Sequence, residues 1–379
     1  MSPTETGSGQ QWFCTGDEFF SAQLAALEAA QSSVCFEMYI FQASPLGERF
    51  RDALTRAAQR GVRVRALVDA GGSLTLPGDF WASLRQAGGE ARLFNPVALK
   101  RFWIRNHRKL LVCDRQLAFI GGFNVAAEYE GDGVTRGWRD LGLQITGPLA
   151  AALAESFAEM FARAEFRHKR FPRLRKSNAK KSVAGPGASL LLSGPGRGPN
   201  PLGRALLNDL AQAREVKIMA AYFLPARRMQ RALIRVVRRG GCVQLVLAGK
   251  SDVALSQLAG RSLYHRLLKG GVEIYEYQPQ ILHAKLLLAD AVVYAGSSNL
   301  DPRSLQINYE LMLRLEQPGL AGAAGKIFAE TLPHCRRIEL AAWHDGRTVW
   351  RRVKQRLAFW LLMRLDPWIA RWQWRALPK

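Results

Sequence analysis

One word occurs twice in this chain. His107-x-Lys109-x₄-Asp114 is followed by Gly121-Gly122-Phe123-Asn124, and His283-x-Lys285-x₄-Asp290 is followed by Gly296-Ser297-Ser298-Asn299. The copies stand at matching points of two half-length repeats. A duplicated word of this kind constrains the fold strongly. The repeats must be built alike, and packing them together can bring both histidines to one site.

The segments around the two words repeat as well. Ser33 to Ile40 reads as a buried strand, Gly47 to Arg60 as a helix, and Gly61 to Asp69 as an alternating strand. The second half has the same order: a strand from Val216 to Tyr222, a helix from Ala226 to Arg239, and a strand from Cys242 to Leu247. Each half then passes through a further helix and strand, Ala91 to Phe94 or Glu273 to Tyr277, into its motif. After the motif, the run starting at Asp140 matches the run starting at Glu310. Strand–helix–strand repeats imply an α/β fold, with a helix-flanked sheet in each half. The expected divisions are an N-terminal segment (1–22), a first repeat (23–165), a basic linker (166–190), a second repeat (191–330) and a tail (331–379). A helix from Leu149 to Ala164 closes the first repeat.

The motif reads as turn–strand–turn. Side chains two apart on a strand share a face, so His107 and Lys109 point the same way, as do His283 and Lys285. Phosphodiester exchange needs a nucleophile, a proton donor for the leaving alkoxide, and cations on the non-bridging oxygens. One neutral imidazole can attack phosphorus while the other, protonated, serves the leaving group. Lys109, Lys285, Asn124 and Asn299 can hold the phosphate oxygens. Asp140 and Glu310 are candidates to bond the far ring nitrogens and orient the rings. Asp114 and Asp290 sit at strand ends, where a carboxylate favours a turn; a fold-holding role competes there with a catalytic one. His168, His265, His334 and His344 lack any matching context. The scheme requires no metal or cofactor, and no His/Cys cluster has zinc spacing.

At these residues the chain resembles the phospholipase D superfamily, over about residues 25 to 320. Within it, the run from Asn106 to Val112, the run from Ile120 to Asn124, Tyr39-Ile40, and the run from Gly296 to Glu310 look like the bacterial cardiolipin synthases. The short type without an N-terminal membrane anchor is the nearest match. The resemblance implies two similar repeats, each a mixed sheet flanked by helices, packed as a pseudo-two-fold pair with the active site between them. It further implies transfer of a phosphatidyl group through a phosphohistidine, two phosphatidylglycerols giving cardiolipin and glycerol. Phosphatidylethanolamine is a further candidate donor. By the same analogy His107 is the nucleophile and His283 the acid, with Lys109, Asp114, Lys285 and Asp290 as the other catalytic residues. Asn124, Asn299 and Ser297 would bind the substrate phosphate. The copies depart from each other at Gly122 against Ser297, and in a shorter Asp-to-Gly spacing in the second.

Charge bears on lipid against nucleic acid. The 379-residue chain carries a formal net charge of +23, which calls for a polyanionic partner. Residues 167–181 hold eight Lys/Arg and no acid, and residues 336–379 hold eleven against three acids, so these two segments supply +16 of the total. The bulk around the motifs is only modestly basic, which disfavours a DNA-binding cleft and the nuclease reading. The tail interleaves Trp350, Trp360, Trp368, Trp372 and Trp374 with Arg. Val349, Trp350, Val353, Leu357 and Trp360 recur at helical steps, with Arg351, Arg352, Lys354 and Arg356 mostly off that stripe. This pattern suits an interfacial anchor on anionic lipid; the competing reading is a helix packed on the domain with its basic side in water. No apolar run of about 18 residues occurs, and the N-terminus lacks a signal-peptide pattern. A peripheral protein on the cytoplasmic face of the bacterial inner membrane is expected. Five scattered Cys fit a reducing compartment. A lipid hydrolase using the same residues, with water as acceptor, is the main alternative.

Overall fold

The computed structural model describes residues 4–6, 9–96, 104–164, 179–185, 187–196, 198–345 and 348–365. The first repeat runs β1 (Thr4–Thr6), β2 (Gln10–Phe13), α1 (Gly16–Ala29), β3 (Ser33–Met38), α2 (Pro45–Gln59), β4 (Arg63–Asp69), α3 (Ala82–Gln86), β5 (Glu90–Phe94), β6 (Leu110–Cys113), β7 (Leu117–Gly121), β8 (Gly142–Thr146) and α4 (Pro148–Ala162). The second runs β9 (Lys181–Gly185), β10 (Ala188–Ser193), α5 (Pro201–Gln212), β11 (Glu215–Ala220), α6 (Arg227–Arg238), β12 (Cys242–Ala248), α7 (Ala254–Arg261), α8 (Tyr264–Lys269), β13 (Glu273–Tyr277), β14 (Lys285–Ala289), β15 (Val292–Gly296), α9 (Pro302–Gln306), β16 (Glu310–Glu316) and α10 (Pro318–Thr331). The chain continues into β17 (Cys335–Arg337), α11 (Leu340–Asp345) and α12 (Val349–Trp360).

Helix starts follow from local chemistry. The Ser44 hydroxyl accepts the Gly47 N–H at the head of α2, and Pro45 sits in the first turn. Asn200 and Pro201 do the same for α5, and Thr348 caps α12.

The strands form two mixed sheets. The first has order β1-β2-β8-β7-β6-β3-β4-β5, and the second β17-β13-β12-β11-β14-β15-β16-β10-β9. Read from opposite ends, the orders coincide, apart from β17. In both, three parallel strands (β3-β4-β5; β11-β12-β13) meet an antiparallel run through the motif strands β6 and β14. Alternation divides the core. Leu110 and Val112 of β6, with Leu286 and Leu288 of β14, enter one cluster shared by both repeats and by α4 and α10. Leu111 and Cys113 face the outer helices of the first repeat, and Leu287 and Ala289 those of the second. The motif strands are therefore covered on both faces, as their near-continuous apolar sequences require.

The linker expected over 166–190 ends early. Lys181–Gly185 is already β9, and the expected boundary at 190 falls inside β10. Alternating Ser/Val/Ala and Leu residues across a glycine turn pair β9 with β10, and β10 in turn pairs antiparallel with β16. Residues 165–178, most of the basic stretch, lie outside the described residues. So do Trp368, Trp372 and Trp374. The beginning of the expected tail is built into the second sheet, since β17 pairs antiparallel with β13.

The repeats are stitched by two parallel bridges, Asn106 with Tyr309 and Arg139 with Leu282. The His107 N–H donates to the Tyr309 carbonyl at 3.0 Å, and the Tyr309 N–H returns to the Arg105 carbonyl at 2.9 Å. The His283 N–H donates to the Arg139 carbonyl at 2.7 Å, and the Arg139 N–H to the Ile281 carbonyl at 2.9 Å. Each bridge joins the approach to one histidine to the residue just before the other repeat's carboxylate.

Candidate active site

The approach to His107 is held from beneath by buried charge. Arg108 lies 3.0 Å from Glu37, whose other oxygen accepts from Asn106 at 2.7 Å. Arg105 lies 3.4 Å from Asp69, which also accepts the Asn106 N–H at 2.8 Å. Removing one partner of a buried ion pair is costly, so these contacts restrict the positions open to residues 105–108.

The histidines are paired across the repeats. His107 Nδ1 lies 3.1 Å from the Glu310 carboxylate, and His283 Nδ1 lies 2.6 Å from Asp140 Oδ2. A carboxylate only accepts, so an ionised partner puts the ring proton on Nδ1 and leaves the Nε2 lone pair for chemistry. Burial holds both rings below the ordinary histidine range. His107 is lowered well below it, with Lys109 and Lys285 adding to the effect of burial. His283 is lowered to about 4; burial and Lys285 pull it down while Asp140 opposes them. Burial therefore favours the neutral form of both imidazoles at neutral pH.

The lysines share that enclosure. Lys109 Nζ donates to the His107 carbonyl at 2.8 Å and sits 4.9 Å from the centre of the Tyr39 ring. Lys285 Nζ donates to the His283 carbonyl and lies 2.6 Å from the ring nitrogen Nδ1. Burial, and then repulsion from Lys285, lowers Lys109 to about 7; Lys285 is lowered too, chiefly by burial. Burial raises Glu310 to about 8, against the pull of Lys109 and the Ser297 hydroxyl. Two repelling cations held out of water are relieved by an anion between them.

Asn124 and Asn299 both line the pocket. Asn124 Oδ1 accepts the Ile40 N–H at 3.1 Å and Nδ2 donates to the Tyr129 hydroxyl at 2.7 Å, which leaves one amide hydrogen for a ligand. Ser297 is different from what its motif position suggests. Its hydroxyl donates to Glu310 at 2.5 Å and accepts the Leu311 N–H at 3.1 Å, so its capacity is spent on aiming Glu310 rather than on phosphate. Gly122, its counterpart, has no room for a side chain: a Cβ there would stand 2.2 Å from Asp140 Oδ1.

Asp114 and Asp290 do not belong to the site. They lie at the far ends of β6 and β14, about 15 Å along the strand from each lysine. Asp114 accepts the N–H groups of Ser32 (2.7 Å) and Ser33 (2.9 Å) and the Ser32 hydroxyl (2.8 Å); Asp290 accepts the Glu215 N–H at 2.8 Å. Both adopt the left-handed conformation, with φ of 55° and 49°. In the structure each carboxylate holds a turn at its strand end.

The pocket is open and about 570 Å³ in volume. Four aromatic residues wall it. The Tyr39 ring centre lies 4.7 Å from that of His107; Tyr129, Trp138 and Tyr222 lie 5.3, 5.6 and 6.3 Å from His283. Tyr129, Trp138 and Tyr222 escape a motif-based reading because no repeat marks them; Trp138, two residues before Asp140, offered the nearest signal. Asp252, Asp301, Arg303 and Asn308 add a polar sector, and Val253, Leu255, Leu361 and Leu362 an apolar rim. Among the described residues, no group of three or more His, Cys, Asp or Glu side chains is placed to hold a metal.

A family model described as "Cardiolipin synthase, PLD-like domain" matches residues 24–163 and 206–332, one stretch in each repeat. The chain belongs to the cardiolipin synthase family of the phospholipase D superfamily. Cardiolipin synthases of other bacteria resemble it along most of its length. It is 31% identical to cardiolipin synthase B of Salmonella typhimurium, over 94% of this chain and 88% of that protein. It is 34% identical to cardiolipin synthase A of Pseudomonas putida, over 85% and 68% respectively. Its fold also matches the crystal structure of phosphatidylserine synthase from Haemophilus influenzae, with a TM-score of 0.73, 15% identity, and coverage of 97% and 96% of the two chains.

Proposed function

We propose that the protein joins two phosphatidylglycerols into cardiolipin, releasing glycerol, on anionic phospholipid at the cytoplasmic face of the membrane. The observation that carries this reading is that two neutral, carboxylate-held imidazoles line one pocket with an apolar rim, each with a buried lysine bonded to its backbone carbonyl. His107 Nε2 attacks phosphorus, and the bond from phosphorus to the glycerol oxygen breaks. His283, protonated once the phosphate anion is bound, gives its proton to that oxygen. A phosphatidyl–His107 intermediate remains. The headgroup hydroxyl of a second phosphatidylglycerol then loses its proton to neutral His283 and attacks phosphorus, which frees His107. Lys109, Lys285 and the Asn124 amide hold the equatorial oxygens.

The assignment of roles has a physical basis. Asp140 lies closer to its ring than Glu310 does, and its charge favours the imidazolium of His283. Glu310, raised by burial, offers His107 less of that support. The ring that resists protonation is the better standing nucleophile. Among the described residues no helix is long and apolar enough to cross a membrane.

The test is to incubate purified protein with labelled phosphatidylglycerol vesicles and follow the products. Cardiolipin with one glycerol per turnover is expected. Phosphatidic acid without cardiolipin would overturn the transfer reading.

A further inference from the structure

Helix α12 is apolar on two opposite faces. One face is packed: Ala358, Phe359, Leu362 and Met363 meet Leu224, Leu258 and Ala259, and Gln355 is buried beside them. The other face is bare. Val349 and Trp350 are each 74% exposed, Val353 48%, Leu357 55% and Trp360 54%. At about 100° per residue these five side chains fall within an arc of roughly 100°, directly opposite Gln355 and Ala358. The packed-helix reading of the sequence holds for one face, and the apolar side chains of the other are left exposed.

We propose that this bare face of α12, together with Val253 and Leu255 at the head of α7, seats the protein in the interface of an anionic bilayer with the pocket mouth at the lipid plane. The inference rests on the phospholipid reading above and adds where the bilayer is met. Charge identifies the occupant. On the helical wheel Lys354 flanks the apolar arc on one side and Arg356 on the other, Arg351 lies beyond Lys354, and α12 contains no acidic residue. Cations at the shoulders of an apolar stripe match headgroup phosphates at the depth where Trp and Leu enter the acyl boundary. The same cations oppose self-association, since a two-fold contact through this face would set them against their own copies. Position adds a second argument. The end of α12 runs into Leu361 and Leu362, which line the same pocket as Val253 and Leu255; these last two are 39% and 40% exposed. The apolar surface is thus continuous from the helix to the pocket, and a lipid can deliver its phosphate to His107 and His283 without its chains entering water.

The experiment uses the full chain carrying Trp350→Glu, Leu357→Glu and Trp360→Glu together. These side chains are exposed and outside the pocket, and melting curves check that the variant folds. Co-sedimentation is measured with vesicles of equimolar phosphatidylglycerol and phosphatidylcholine, and with phosphatidylcholine alone. Wild type should bind the anionic vesicles and the variant should bind them at least about 100-fold more weakly. Binding of the variant equal to wild type overturns the proposal, as does wild type that binds neither vesicle. A wild-type dimer that the substitutions dissociate also overturns it, because the face is then an interface between copies. Cardiolipin formation from phosphatidylglycerol in detergent micelles separates this from the reaction itself. Micellar turnover should fall far less than vesicle binding. Wild type that docks through α12 but makes no cardiolipin in micelles would sink the reaction and leave the docking face standing.

Discussion

His107 and Glu310 are 203 residues apart in the chain and 3.1 Å apart in space. His283 and Asp140, separated by 143 residues, repeat the relationship at 2.6 Å. Each imidazole is oriented by the other repeat. Neither half by itself contains both a histidine and the carboxylate that orients it.

Asp140→Asn should cut turnover about 10²- to 10³-fold, because an amide neither favours the imidazolium of His283 nor enforces its tautomer. Glu310→Gln should cost about tenfold to 100-fold, since the Glu310 carboxyl is already pushed up to about 8 and supports its ring less. His107→Ala and His283→Ala should each abolish turnover. Steady-state rates on phosphatidylglycerol micelles check the order; an Asp140→Asn variant as active as wild type would refute the assignment.

Stability should depend on His283 in acid. Burial lowers this ring to about 4 in the folded protein, so between its unfolded value near 6.5 and 4 the unfolded chain binds more protons. Stability from this group is therefore present above about pH 6.5 and lost as pH falls toward 4, by at most roughly 3 kcal/mol. His283→Gln removes that titration. Urea midpoints measured at both ends of the window should fall less steeply in the variant than in wild type.

Gly122→Ser should destabilise the fold by about 1–3 kcal/mol and impair turnover, because its Cβ would stand 2.2 Å from Asp140 Oδ1. Ser297→Gly meets no such obstacle but releases Glu310 from its 2.5 Å hydrogen bond. Its melting temperature should stay closer to wild type while turnover drops about tenfold. Equal behaviour of the two variants would contradict the unequal jobs of these positions.

Asp114→Ala should lower stability by about 1–3 kcal/mol, through stranded N–H groups at Ser32 and Ser33 and a left-handed residue without a stabilising side chain. Turnover per folded molecule should stay within about twofold of wild type. Asp114→Asn should recover much of the loss, because an amide oxygen still accepts and Asn tolerates that conformation. A large fall in turnover with unchanged melting would return Asp114 to the catalytic set.

Much of the architecture was legible in local pattern. Strands such as Arg63–Asp69 and Glu273–Tyr277, and helices such as Pro45–Gln59, lie where apolar period and capping residues place them. The histidines and lysines were legible because duplication marks them against the background. Edges were not: β10 takes its partner β16 from more than a hundred residues further on and carries β9 with it, and β17 borrows β13. The roles of Ser297, Asp114 and Asp290 depend on which donors surround them, and a motif does not carry that information. Tyr129 and Tyr222 reach the site by loop packing without any repeated spacing.

The sequence by itself determined that two like α/β repeats carry two imidazoles, two lysines and two candidate carboxylates, because residue order sets hydrogen-bonding period and side-chain face. It left open which carboxylate serves which ring, and which face of α12 is bare. Tertiary structure decided both. The bridges from Asn106 to Tyr309 and from Arg139 to Leu282 carry Glu310 to His107 and Asp140 to His283. Packing on α7 turns Trp350, Leu357 and Trp360 outward. Contacts between residues far apart in the chain are selected by the burial and backbone pairing of whole elements, and no local window of sequence contains them.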